Sequence, residues 1–92
     1  MSIKLTDKIT VSPQAVARQV GDETVILHFG SGTYFGLDSV GARIWQLMGE
    51  GKTLAEICEV MLDEHDVSRE DLERDTMILI QDLLARDLVS PS

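Results

Sequence analysis

A side chain does chemistry only when a neighbour activates it, and this 92-residue chain offers few such neighbours. His28 falls in an alternating, strand-like run on the side expected to be exposed, and His65 at an acidic helix end. Neither has a cysteine or second histidine at metal-ligand spacing, so structural roles and no metal are expected. Cys58 lies on the inward stripe of a helix, with no cation or histidine placed to lower its pKa; it reads as a small core residue. Ser31, Ser39 and Ser68 occupy turns and helix starts, where serine serves the backbone. The acids of the last helix lack the glycine turn and dense oxygen spacing of a calcium loop. These residues point away from an enzyme, and no catalytic residue or cofactor is expected.

One serine needs separate weighing. Gly36-Leu37-Asp38-Ser39-Val40 resembles the Asp-Ser-Leu signature of carrier proteins, which hold phosphopantetheine on that serine. Size and acidity agree with this alternative. Carriers, however, begin with a long helix and follow the serine with an acidic one. This chain begins with alternating runs, and Val40 to Met48 contains no acid and one base, Arg43. Asp38 or Ser39 acting as a helix N-cap is the better reading.

The elements that would position any site follow from periodicity. Ile3, Leu5, Ile9 and Val11 alternate weakly, so residues 1–13 read as an extended arm, with the domain proper over 14–90. Ala15 to Val20 and Thr24 to Phe29 alternate about a Gly21-Asp22 turn, and Gly30-Ser31-Gly32 reverses the chain into a third short strand, Thr33 to Leu37. Phe35 and Leu37 should face the core and Tyr34 the other side. After Ser39 the period becomes helical, with Val40, Ile44, Leu47 and Met48 on one face. Thr53-Leu54-Ala55-Glu56 is a capping box, and Ser68-Arg69-Glu70-Asp71 opens a long helix expected to end near Leu88. Its core stripe is Leu72, Thr76, Leu79, Ile80 and Leu83. The expected fold is α+β: a three-stranded antiparallel sheet followed by three helices, a small winged helix-turn-helix domain.

Bulk properties exclude several functions. Net charge is −8, and 12 of the 16 acids lie from Glu50 onward. Such a surface repels phosphate backbones and anionic lipid. A DNA-reading helix would be basic, whereas the candidate here reads Glu70-Asp71-Leu72-Glu73-Arg74-Asp75. No run is long enough to span a membrane and no apolar signal segment is visible, so neither nucleic acid nor membrane is an expected partner. With a single cysteine, a cytoplasmic location is expected.

What remains is capture of an extended peptide by strand addition. If the third strand is an edge, its free N–H and C=O groups can pair with a visitor. Beside the core stripe of the last helix lie Asp71, Asp75, Ile78 and Asp82, an apolar side chain among carboxylates that suits an anchor pocket. The opposite flank, Met77, Leu84 and Leu88, is also apolar, and periodicity favours the first flank only modestly. The arm could also pair with a sheet edge, its own or a neighbour's in a homodimer, and compete with the peptide.

From Val11 to Val89 the chain resembles the PqqD family, the recognition elements for ribosomally made and modified (RiPP) precursor peptides. The resemblance rests on Tyr34-Phe35-Gly36-Leu37-Asp38-Ser39-Val40-Gly41-Ala42-Arg43-Ile44-Trp45, on Thr53-Leu54-Ala55-Glu56-Ile57, and on Leu72-Glu73-Arg74-Asp75 with Leu79, Leu83 and Leu88-Val89. Asp38 replaces a usual asparagine, and Asp87 a usual glycine. The resemblance implies a domain that clasps the leader segment of the precursor and presents it to a separate modifying enzyme or protease. Thr33, Tyr34, Phe35 and Gly36 would supply strand backbone, and Asp71, Asp75, Ile78, Leu79 and Asp82 the helix side. The resemblance further implies a role in making either a lasso peptide or a PQQ-type quinone cofactor, and within the family the chain looks most similar to the discrete leader-binding subunit of split lasso-peptide proteases.

Overall fold

A computed structural model of the chain describes residues 3–91. Met1 and Ser2 of the expected arm lie outside the described residues. The elements are β1 (Ile9–Val11), β2 (Ala15–Val20), β3 (Glu23–His28), β4 (Tyr34–Leu37), α1 (Ser39–Gly49), α2 (Leu54–Glu64), α3 (Arg69–Ala85) and β5 (Val89–Pro91). The three-stranded antiparallel sheet has the order β2-β3-β4, and the three helices follow it, as the α+β reading requires.

The β2–β3 hairpin closes through two residues, with Val20 opposite Glu23 and Gly21 at φ +63°, which suits a type II′ turn. The register sets Ile26 opposite Phe35 and Thr24 opposite Leu37. Ile26 and Leu37 are therefore buried on the helix-facing side, while Tyr34 stands outward and 74% exposed. His28 shares the side of Ile26 and is half-buried, contrary to the exposed position expected of it. Its Nδ1 lies 2.9 Å from Ser31 Oγ, which fastens the β3–β4 turn. The helices close over this face, with Ile44, Leu47, Leu54, Ile57, Met61 and Ile80 in the common core. Cys58 is buried there too, its Sγ 3.9 Å from the equally buried Thr76 hydroxyl, and burial pushes the thiol's pKa up.

Two differences concern the ends. β1 pairs with β5 in a second, two-stranded antiparallel sheet, and Ile9 is buried. Residues of the expected arm also complete α2. The carbonyl of Asp7 accepts from Leu54 N–H (3.0 Å) and that of Leu5 from Ala55 N–H (2.7 Å). The reciprocal Thr53–Glu56 box satisfies the next donor, so the first turn is fully paired. Glu56, accepting from the Thr53 backbone and hydroxyl, has its carboxyl held below the usual range.

The last helix stops at Ala85, short of Leu88. Asp87 adopts φ +59°, and Leu88 N–H donates back to the Leu83 carbonyl at 3.0 Å while Asp87 N–H donates to Leu84. This is a Schellman ending, with aspartate in the left-handed position that glycine usually fills. It turns the chain so that Leu88 is buried and Val89 enters β5.

Candidate peptide-binding site

β4 ends the strand order, and among the described residues nothing pairs with its outer side. The phase of its ladder is set by His28 N–H donating to the Thr33 carbonyl (2.9 Å). Alternation then points the N–H and C=O of Phe35 and Leu37 toward β3, and those of Tyr34 and Gly36 outward. The open border thus consists of two donors and two acceptors. The carbonyl of Thr33 is engaged inside the turn, so this residue shapes the approach to β4 rather than extending its free edge. Its hydroxyl lies 2.7 Å from Ser31 Oγ.

Alongside this border runs a groove of about 840 Å³. One wall is Phe35, Gly36 and Leu37 of β4; the other is α3, which contributes Asp71, Asp75, Ile78, Leu79 and Asp82. Spaced at four, three and four residues, Asp71, Asp75, Ile78 and Asp82 fall on one stripe of the helix. Leu79 is half-buried beneath them, and Ile78 is 59% exposed. Of the residues expected at the site, seven therefore line one groove, while Thr33 and Tyr34 do not. The flank bearing Met77 lines a separate concavity with Ile3 and Leu5. The first flank is the one that meets β4.

Several lining residues escaped the sequence reading. Val40 and Ile44 enter from α1, and Asp66 and Val67 from the loop before α3. Val67 is 48% exposed, and as a lone apolar residue in a polar loop it carried no periodic signal. Asp38 also lines the groove, and it, not Ser39, caps α1, its Oδ1 accepting from Gly41 N–H at 2.8 Å. Past the end of α3, Arg86 stands 4.9 Å over the Phe35 ring and bonds Asp82 (3.2 Å). This contact joins two elements 51 positions apart, beyond any local pattern.

The charge of the groove is uneven. Arg74 is its one lining cation among the described residues, and it is shared between Asp71 (3.1 Å) and Asp75 (3.6 Å). No group of described residues is arranged to hold a metal ion, and no described helix is long and apolar enough to cross a membrane.

No curated protein matches the chain. Two solved structures share its fold closely. TbiB1, in complex with the TbiA(beta) leader peptide, is 41% identical with a TM-score of 0.82, covering 88% of this chain and 94% of its own. A lasso peptide synthetase B1 complexed with the leader peptide is 27% identical with a TM-score of 0.83, covering 91% of this chain and 99% of its own. The model of the family described as Coenzyme PQQ synthesis protein D (PqqD) matches residues 23–89. With its open border, its helix-walled groove and a match over most of its length, the chain belongs to the PqqD family.

Proposed function

We propose that this protein is a non-catalytic adaptor of RiPP biosynthesis that binds a precursor leader as an antiparallel strand on β4 and hands it to a separate enzyme. The observation that carries the reading is the coincidence of the unpaired Tyr34–Leu37 border with the groove against α3. Two structures similar to this chain were solved with leader peptides. Their likeness favours lasso-peptide assembly, with a protease as the separate enzyme, over quinone-cofactor synthesis. The place of action is the cytoplasm, where precursors are made.

Strand addition gives affinity that is indifferent to sequence, because every peptide has the same backbone groups; the groove must supply the choice. Leader residues opposite Leu37 and Phe35 point into it, and those opposite Tyr34 and Gly36 point away. Ile78 and Leu79 present the apolar floor and anchor.

The reading is tested by titrating a fluorescein-labelled synthetic copy of the TbiA(beta) leader, found in complex with the 41% identical TbiB1, into the protein. Saturable binding is expected, and Ile78→Asp should weaken it by about 1–3 kcal/mol, since a carboxylate would be desolvated by the docked peptide. Absence of binding to the wild-type protein refutes the adaptor. A mass gain on Ser39 after incubation with a phosphopantetheinyl transferase would restore the carrier alternative.

A further inference from the structure

The two ends of the groove differ in charge, and the difference runs along the path of the peptide. Arg86, past the C-terminal end of α3, covers Phe35 near the start of β4. The opposite end, where β4 passes into α1, holds Asp38, Asp66 and the first turns of α3 with Asp71 and Asp75. The helix and the strand are therefore antiparallel. A peptide antiparallel to β4 travels along α3 from Asp71 toward Asp82.

The spacings set what it meets. At about 1.5 Å per residue, Asp75, Ile78 and Asp82 lie about 6, 10.5 and 16.5 Å beyond Asp71 along the helix axis. Side chains on one face of an extended peptide recur about every 6.8 Å, twice the rise per residue. The groove-facing residue opposite Leu37 then falls beside Asp71 and Asp75. The next one, opposite Phe35, falls beyond Asp75 in the reach of Ile78. Arg86, bonded to Asp82, disfavours a second cation further on.

We infer that the groove reads its peptide in one direction, through a lysine or arginine followed two residues later by an aliphatic side chain. This rests on the leader-binding reading above and specifies its ligand. The carboxylates alone would be a solvated helix face; they become readers because they share a groove with the open border of β4. Arg74 occupies their field in the free protein. It is 58% exposed, and its pairs with Asp71 and Asp75 are of the weak surface kind, which an incoming cation can displace.

The test is an mRNA-display selection of random twelve-residue peptides on the intact protein. Enrichment of a basic residue two positions before Leu, Ile, Val or Met is expected. Enriched binders with the reverse order, or with no basic preference, overturn the inference and leave strand capture standing. If no binder emerges, both fall. On the best peptide, Asp71→Asn with Asp75→Asn should weaken binding about fivefold, the worth of two exposed charge pairs. Arg74→Ala should tighten it about threefold by removing the resident competitor. These sites are exposed, so unchanged melting temperatures will show that folding is intact; unchanged affinity in both variants refutes the charge reading.

Discussion

Replacing Tyr34 by proline isolates the backbone of the β4 border from everything else in the site. The N–H of Tyr34 points away from β3, so the sheet loses no hydrogen bond when proline removes it. The docked leader loses one of the four backbone bonds that Tyr34 and Gly36 can make with it. At about 0.5–1.5 kcal/mol net for each, affinity should fall about 2.5- to 12-fold, with the pyrrolidine ring adding to the loss where a leader carbonyl would sit. Phe35→Pro is the counterpart: its N–H faces Ile26 inside the ladder, so stability should suffer instead. Tyr34→Ala keeps the N–H and removes only an outward ring, so it should retain most of the affinity. Fluorescence anisotropy with the labelled leader measures binding, and calorimetry the melting temperature, where about 1 kcal/mol moves a domain of this size by about 4–8 °C. Wild-type affinity in Tyr34→Pro, with its fold intact, would refute strand addition on this border.

The remaining predictions concern the frame. Asp87→Gly should raise stability by about 1 kcal/mol, read from chemical denaturation, because the left-handed position at φ +59° strains any L-residue. Deleting residues 1–8 should lower stability by about 1–3 kcal/mol by removing the two carbonyls that complete α2, while leader affinity stays unchanged in the folded fraction, since β1 pairs with β5 and not with β4; a gain in affinity would revive the arm as a competitor. Glu56 and Glu64 both have carboxyls held below the usual range, the first by Thr53 and the second by hydrogen bonds from Arg43. Depressed carboxylates stabilise the fold above their unfolded pKa and lose that contribution as pH falls through the folded value. Glu56→Gln with Glu64→Gln should therefore narrow the gap to wild type as pH drops below about 4, the unfolded glutamate range, in melting curves taken from pH 7 to 3.

What could be read in the sequence was what local periodicity encodes. The three helices declared themselves by apolar stripes and by the caps at Asp38, Thr53 and Ser68, whose side chains all accept from backbone N–H groups three residues on. The Phe35/Leu37 alternation placed β4 with its correct face inward. The β1–β5 pair was illegible because each strand has three residues and their contact spans nearly the whole chain. The end of α3 was overread because Leu88 continues the apolar pattern past Asp87, and only the backbone turn moves it off the helix. In the site, the helix stripe was legible and its partners in other elements were not: Val67 and Val40 reach the groove, and Arg86 the ring of Phe35 beside it, through tertiary packing alone.

The sheet has a second edge strand, β2, and it does not serve equally. β2 is longer, six residues against four, and is exposed over most of its length. A bare strand edge invites any chain, its own kind included. Among the described residues, β2 lines neither the groove against α3 nor the concavity at Met77, so a peptide added there would gain backbone bonds without those contacts. At β4 the same bonds are coupled to a groove with an apolar floor and an acidic rim. On the proposed reading, the net charge of −8 would work twice, opposing self-association through either border and favouring a cationic segment at the border that has the acidic groove beside it. Grafting the distinction tests it: moving the α3 carboxylates to lysine by Asp71→Lys and Asp75→Lys should abolish the preference for a cationic peptide and leave backbone capture by β4 in place. An unaltered preference would mean that the choice is made elsewhere, and the asymmetry between the two borders would lose its physical basis.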